Sequence, residues 1–458
     1  MAWAHRNKRS RTERVDRELS DSPARRAFFN TLTVELVQYI LRLATDVPVA
    51  FDTSWSWVLD EDRVRTRRLI IDSLQTKASL SLVSKPFHLL VDQYLYEALL
   101  LRCPPTCDAI RRLPSHLRAR KRGRRPARGD RVRRLELHFE VSPRDEWTPA
   151  WDTLWGLLPV CPNLEALYFH PRRVLWPHPK SFEDLHRVWC VDGSTSLPFW
   201  TVPSEKFVRN IARTWGRTLR RLDISCHVRF PLSYFQPMLA SMCSLQVIHI
   251  AKLEDTLPPT PIACSRKKWI GTLPAGEQMR HLHTLFLESM PLPIAAGQRP
   301  QLKHITIWNR YIRGVEDHVR DLLRIHALSI VSLYYHQVHN TRVVLPDILD
   351  MLPNLEHLRL RDCWRSSWDV MLPTRSHMKI RAITVFLLDV MSTHEYSLIA
   401  DVKKLLDRVQ EGRIPALKKI QVAGRTCEQF LRPDRLGARL LRMGITWELR
   451  PDLIAWYD

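Results

Sequence analysis

Apolar residues return along this chain in one spacing: an aliphatic position, two variable positions, an aliphatic, one variable, an aliphatic. The pattern reads Leu164-Leu167-Phe169, Leu219-Leu222-Ile224, Leu245-Ile248-Ile250, Leu282-Leu285-Leu287 and Leu302-Ile305-Ile307. It continues as Ile330-Leu333-Tyr335, Leu355-Leu358-Leu360, Ile380-Ile383-Val385 and Leu417-Ile420-Val422, with Val132-Leu135-Leu137 opening the series. A strand of this pattern buries the same face in every copy, and one copy cannot bury that face alone. The units are therefore expected to stack on one another as a repeat array. Amphipathic stretches at 147–158, 205–215, 234–242, 315–325, 345–351, 398–410 and 435–442 lie ahead of strands, the last leading into a closing strand around 445–449. A helix feeding each strand requires a parallel sheet with crossover connections. From Leu219 to Leu417 the units begin 26, 37, 20, 28, 25, 25 and 37 residues apart, so the longer intervals carry insertions or a missed strand. The interval of 55 between Leu164 and Leu219 is wide enough for a hidden unit or a long loop.

Ahead of the repeats the spacing changes to that of helices. Leu32, Leu36, Ile40 and Leu43 mark one amphipathic helix, ended by Thr45-Asp46-Val47-Pro48, because the residue before a proline is pushed out of the helical region. A second helical stretch is expected over 63–75. The apolar segment 78–101 is expected as two short helices, since Pro86 interrupts it. The chain thus predicts an α/β fold: a small N-terminal all-α domain followed by an irregular α/β solenoid, with a parallel sheet and helices on its convex side. The boundaries fall at 1–27 for a disordered polar tail, 28–104 for the helical domain with an insertion at about 45–77, 105–131 for a basic linker, and 132–458 for the solenoid.

Charge sharpens this division. The chain of 458 residues carries a net +22, and half of it lies between Arg111 and Arg134, where twelve Arg or Lys meet the single acid Asp130. Repulsion among like charges argues against a regular element there, hence the reading as a linker. Its centre, Arg120, Lys121, Arg122, Arg124 and Arg125, has the composition of a nuclear-localisation or anion-binding cluster. Thirty-one prolines against 13 glycines leave little for glycine-built phosphate loops. Nine scattered cysteines fit a reducing compartment, cytoplasmic or nuclear, and Cys103 with Cys107 read as free thiols. No run of about 18 apolar residues predicts a membrane span. Nucleotide-loop, dinucleotide, zinc-protease and serine-hydrolase motifs are all missing, so no catalytic residue, metal or cofactor is expected, and the chain does not read as an enzyme.

The N-terminal segments Leu32-Thr33-Val34-Glu35-Leu36-Val37-Gln38-Tyr39-Ile40-Leu41 and Ser79-Leu80-Ser81-Leu82-Val83-Ser84-Lys85-Pro86-Phe87-His88-Leu89-Leu90-Val91 resemble the two helices of an F-box. With Leu95-Tyr96-Glu97-Ala98-Leu99 behind them as the tail of that domain, the chain resembles fungal F-box-like proteins with irregular leucine-rich repeats. Thr33 stands where the family motif has proline, and the stretch between the helices is longer than the family's. The resemblance implies a non-catalytic substrate receptor of a cullin–RING (SCF-type) ubiquitin ligase in ubiquitin-dependent protein degradation. Its adaptor contacts would fall on Leu32, Val34, Glu35, Leu36, Ile40, Leu82, Val83 and Phe87, against a Skp-type adaptor. A client protein would meet the solvent side of the sheet, where the variable position between the last two aliphatics is expected to be exposed, with Tyr168, Phe286, Tyr334 and Arg359 as candidates. Two other readings of the residues stand beside this one: a protein-interaction scaffold that binds no adaptor, and a basic nuclear protein associated with nucleic acid.

Overall fold

The computed structural model describes residues 32–450, apart from 54–59, 103–106, 120–125, 139, 142–154, 170–171, 174–204, 232–234, 236–237, 240, 255–280, 288–301, 310–315, 338–344, 362–374, 387–394 and 424–435. The expected tail at 1–27 and the cluster Arg120, Lys121, Arg122, Arg124 and Arg125 lie outside the described residues. Two compact units result: one of residues up to Pro48 with Leu69–Leu95, the other of Val49–Arg68 with everything from Tyr96 onward.

The first unit is helical. Helix α1 (Val34–Thr45) begins at Thr33, whose hydroxyl accepts a hydrogen bond from the Leu36 amide at 3.4 Å, and Glu35 sits favourably in the first turn. Val37 and Leu41, one turn apart, point inward against Val91, with Leu32, Leu80, Phe87, Leu90 and Leu95 around them. Helix α2 (Asp60–Val83) is a single element of 24 residues, longer than the stretch 63–75 read from sequence. It stops at Ser84, whose hydroxyl accepts from the Phe87 amide at 3.3 Å and starts helix α3 (Lys85–Leu95). Pro86 thus falls in a first helical turn, where its missing N–H costs nothing.

Beyond Leu95 the sequence reading needs correction. The chain turns to strand at β1 (Ala98–Arg102), so the end of the apolar segment 78–101 is not helical, and Tyr96-Leu99-Leu101 is an unrecognised first copy of the repeat pattern. The sheet therefore opens ahead of the expected linker. The linker itself contains helix α4 (Asp108–Arg118), whose Ile110, Leu113 and Leu117 share one face and enter the core, leaving the basic residues outside. Charge alone did not forbid a helix because only one face had to be apolar. Nearby Gly129 lets two backbones meet: a Cβ there would stand 1.8 Å from the Val160 carbonyl oxygen.

The remaining strands are β2 (Arg134–His138), β3 (Glu140–Val141), β4 (Ala166–Phe169), β5 (Arg172–Arg173), β6 (Arg221–Pro231), β7 (Val247–Glu254), β8 (Thr284–Leu287), β9 (His304–Asn309), β10 (Ser332–Gln337), β11 (His357–Arg361), β12 (Ala382–Phe386), β13 (Lys419–Ala423) and β14 (Thr446–Arg450). Twelve form one sheet, in chain order, omitting only β3 and β5, which pair with each other. All pairs are parallel, so the α/β class and the parallel sheet stand as expected. The wide interval after Leu164 hides no unit of this sheet, because β4 pairs directly with β6.

The register stacks each pattern on the next: Leu135 beside Leu167, then Leu222, Ile248, Leu285, Ile305, Leu333, Leu358, Ile383 and Ile420. These side chains share one core with helices α5 (Glu205–Trp215), α6 (Glu316–His326), α7 (Leu345–Met351), α8 (Glu395–Gln410) and α9 (Leu436–Arg442). Trp215 is fully buried there and donates its indole N–H to the Cys161 carbonyl at 2.7 Å. Burial, and then Asp130, push the Cys161 thiol up to about 12. Gly444, at φ +65°, turns α9 into β14.

Two backbone devices repeat with the pattern. Just before each strand one carbonyl accepts two successive N–H groups of the next unit, as Glu97 does from Arg133 and Arg134, Arg133 from Glu165 and Ala166, and Arg381 from Lys418 and Lys419. The residue preceding the first aliphatic often bonds to the unit before it. Asn163 donates to Asp130 O at 2.7 Å, Ser244 to Arg217 O at 2.7 Å, Ser329 to Leu302 O at 2.9 Å and Asn354 to Leu328 O at 2.7 Å. Turn carbonyls of one unit are thus tied to side chains of the next.

Candidate functional site

Two surfaces carry chemistry, one in each unit. On the helical unit, α1 turns an open apolar arc away from Val37 and Leu41: Leu36 is 45% exposed, Tyr39 59%, Ile40 42% and Leu43 65%, while Val34, in the first turn on the Val37 side, is 56% exposed. Leu82 and Val83 at the end of α2 are also exposed, at 86% and 65%. Of the residues predicted to meet an adaptor, Val34, Glu35, Leu36, Ile40, Leu82 and Val83 are therefore exposed, whereas Leu32 and Phe87 are half-buried against the small core.

The second surface is the side of the sheet facing away from the aliphatic core. Period-two alternation puts Arg134, Glu136 and His138 of β2 on it, then Tyr168, Arg221 with Asp223, and His249 on the next strands. This face was expected to be solvated, and it is not. Tyr168 is 4% exposed, Asp223 0%, His249 2%, and Tyr334 and Arg359 8% each. The Phe286 side chain is outside the described residues. Alternation identified the face correctly but could not report what covers it.

Over the first strands the covering group is a short piece of the chain itself. Arg134 donates to the Ala50 carbonyl, its guanidinium stacks at 4.1 Å on the Tyr168 ring, and its Nε donates to Glu136 at 2.7 Å. Phe51 lies 4.1 Å from the Arg133 guanidinium, and Thr53 donates to Gln246. Residues 50–53 thus cross from β2 to the edge of β7. Beneath them the charges are paired: Arg133 forks onto Glu165 at 2.6 and 3.1 Å, Arg221 stands 3.4 Å from Asp223, and His249 donates its Nδ1–H to Asp223 at 2.8 Å. Burial alone would raise the Glu136 carboxyl, but Arg134 and His138 outweigh it and hold it well below the usual carboxylate range.

The face changes character at β8. From β8 through β13 its register positions hold Thr284 and Phe286, His304, Thr306 and Trp308, Ser332, Tyr334 and His336, then His357, Arg359 and Arg361, Ala382, Thr384 and Phe386, and Lys419, Gln421 and Ala423. None is acidic. Tyr334 meets Phe386 with ring centroids 5.4 Å apart, and Thr384 donates to Gln421 at 2.9 Å. Burial pushes His304 down to about 3, with His283, His357, Lys303 and Arg359 adding to the shift, and His357 is lowered by burial and by Arg359.

The structure thus brings Tyr334 and Arg359 onto adjacent strands and sets Tyr168 apart from them, under residues 50–53. Sequence reasoning missed Arg134, Glu136, Asp223 and His249. The signal was present: Arg134-x-Glu136 and Arg221-x-Asp223 put opposite charges on one face of a strand, where solvated positions have no need of them. Among the described residues no group of three or more His, Cys, Asp or Glu could hold a metal, and no helix is long and apolar enough to cross a membrane. Compared with known proteins, the chain matches no family model and no curated protein.

Proposed function

We propose that the chain is an F-box receptor: a non-catalytic substrate-recognition subunit of a cullin–RING ubiquitin ligase. In this reading α1 docks a Skp-type adaptor, and the sheet is an irregular leucine-rich-repeat solenoid, helices on its convex side, that holds a client protein. The observation that carries it is the open apolar stripe Leu36, Tyr39, Ile40 and Leu43. Such a stripe on a helix whose other side is already packed is the form a helix offers to a partner's groove. Thr33, in the place of the family's proline, has φ −66°, an angle that proline also adopts, and its hydroxyl supplies the cap.

The test is binding of the full chain to a purified Skp-type adaptor, measured beside a Leu36→Asp, Ile40→Asp variant. Both residues lie outside the small core, so the variant is expected to keep its unfolding temperature. Loss of two central apolar anchors should weaken the complex by about 30-fold or more. An adaptor that ignores the wild-type chain, or binds the variant equally well, overturns the adaptor reading and leaves the sheet as a stand-alone interaction surface.

A further inference from the structure

Part of the basic run that reads as a linker is a helix fixed to the solenoid. Ile110, Leu113 and Leu117 of α4 sit in the sheet's core, so the helix cannot turn freely and its opposite side is committed to the outside. At 100° per residue Arg118 and Arg111 fall about 20° apart, Ser115 about 40° beyond Arg111, and Arg112 about 60° beyond Ser115. All four are exposed, and none of the three arginines makes an ion pair among the described residues. The single acid of the helix, Asp108, sits in its first turn, where it suits the helix dipole. The next acid along the chain, Asp130, is occupied by the Ala127 amide at 2.8 Å. Beside the arc stands one more guanidinium, that of Arg128, with Nη1 3.1 Å from the His116 ring of α4.

We infer that the outer face of α4 binds the phosphate backbone of a nucleic acid, without sequence preference. Arg111 and Arg118 are two turns apart, about 10.5 Å along the helix axis. Over that length one strand of a duplex presents about three phosphates. A guanidinium forks onto phosphate oxygens and keeps its charge throughout the physiological pH range. Because α4 is anchored in the core, these groups are held in place before a ligand arrives, and little backbone ordering is left for binding to supply. The class of partner follows from the composition of the arc. None of the large apolar side chains of α4 is exposed. A protein partner calls for an apolar or aromatic centre to the patch, and a bilayer surface calls for apolar side chains to bury in it. A nucleic-acid interface is instead polar and strongly positive. The site uses no residue of α1 and none of the sheet's polar face, so it stands or falls separately from adaptor docking and client binding.

The test is fluorescence anisotropy of the full chain with a labelled single-stranded RNA and a labelled duplex DNA, both of mixed sequence, across a series of salt concentrations. The two probes distinguish the sources of the same phosphate chemistry. The triple variant Arg111→Gln, Arg112→Gln, Arg118→Gln should weaken the tighter of the two complexes by about tenfold or more and flatten its log–log salt dependence by about 2. All three residues lie outside the core, so the unfolding temperature should not move; if the triple variant does not fold, Arg111→Gln alone decides. Lys303→Gln, Arg381→Gln, Lys418→Gln removes the same charge from exposed strand starts and should leave the salt slope as in the wild type. Three results overturn the inference. One is a wild-type chain that binds neither probe, or an α4 variant that binds as the wild type does. Another is an equal loss in both triple variants, which marks net charge and no site. The last is an acidic polyglutamate peptide that binds more tightly than either nucleic acid and is lost in the α4 variant.

Discussion

The face under residues 50–53 and the face from β8 to β13 share one backbone geometry, yet the first pairs acids with arginines and the second carries no acid at its register positions. Their aliphatic undersides are interchangeable in pattern, so the difference is confined to the alternate residues. Where the chain covers its own sheet, every buried guanidinium has been given an anion or a carbonyl. Burying a charge is tolerable only with such company. A repeat protein can thus vary its alternate positions from one part of the sheet to another without altering the pattern that folds it.

Removing a carboxylate from the closed part should break this contrast most severely. Glu136→Gln leaves Arg134 buried without its anion, at an expected loss of about 3–5 kcal/mol of stability, measurable as a fall in the urea midpoint. Thr384→Val in the basic part removes one hydrogen bond to Gln421 and should cost only about 1 kcal/mol. Equal losses would mean that the two parts are not built differently.

Acid should next separate Glu136 from two largely buried imidazoles, His304 on the second part of the face and His326 at the end of α6, by pH window. His304 and His326 have folded values of about 3 and about 4, below the unfolded value near 6.5, so the unfolded chain binds the extra protons. Their contribution is complete above about pH 6.5 and declines as pH falls from there toward 4, by up to about 1.4 kcal/mol per pH unit for each imidazole, less where solvent reaches the ring. Glu136, whose folded value is depressed, loses its contribution only below its unfolded value of about 4.3. Urea midpoints at pH 7 and 5 should therefore differ in the wild type, and less so in a His304→Asn, His326→Asn variant. A flat profile in the wild type contradicts the assignment.

The smallest effect expected is that of Phe51→Ala, which removes a ring from a partly exposed guanidinium and should cost about 1 kcal/mol. Amide exchange should nonetheless quicken around β2, β4 and β6 and not around β10 to β12. Uniform quickening would show that residues 50–53 do not close one part selectively.

The core face was legible because its signal is redundant: Leu135, Leu167, Leu222 and their counterparts each repeat the same requirement. Three things were not. Tyr96-Leu99-Leu101 adjoins a helical apolar run and blends into it. Helix α4 hides three apolar residues in a basic stretch whose charge dominates any window average. The polar face was placed on the right side of every strand but assigned to solvent, since alternation carries no record of a segment 80 or more residues away. Arg134 and Ala50, separated by 84 positions, are the plainest case. The residue ahead of each first aliphatic, as in Asn163, Ser244, Ser329 and Asn354, was a readable sign of stacked turns that a search for aliphatics alone passes over.

The hydrogen bond from Thr53 to Gln246 spans 193 residues, whereas strand pairing joins each unit only to the next. During synthesis the segment around Thr53 leaves the ribosome long before its acceptor. At roughly 5–20 residues per second the interval is about 10–40 s. Until Gln246 emerges, Thr53 lacks the acceptor that ties the segment to β7, although Ala50 is already there to receive Arg134. The direction of translation thus makes Thr53, though early in the chain, wait for a partner made 193 residues later.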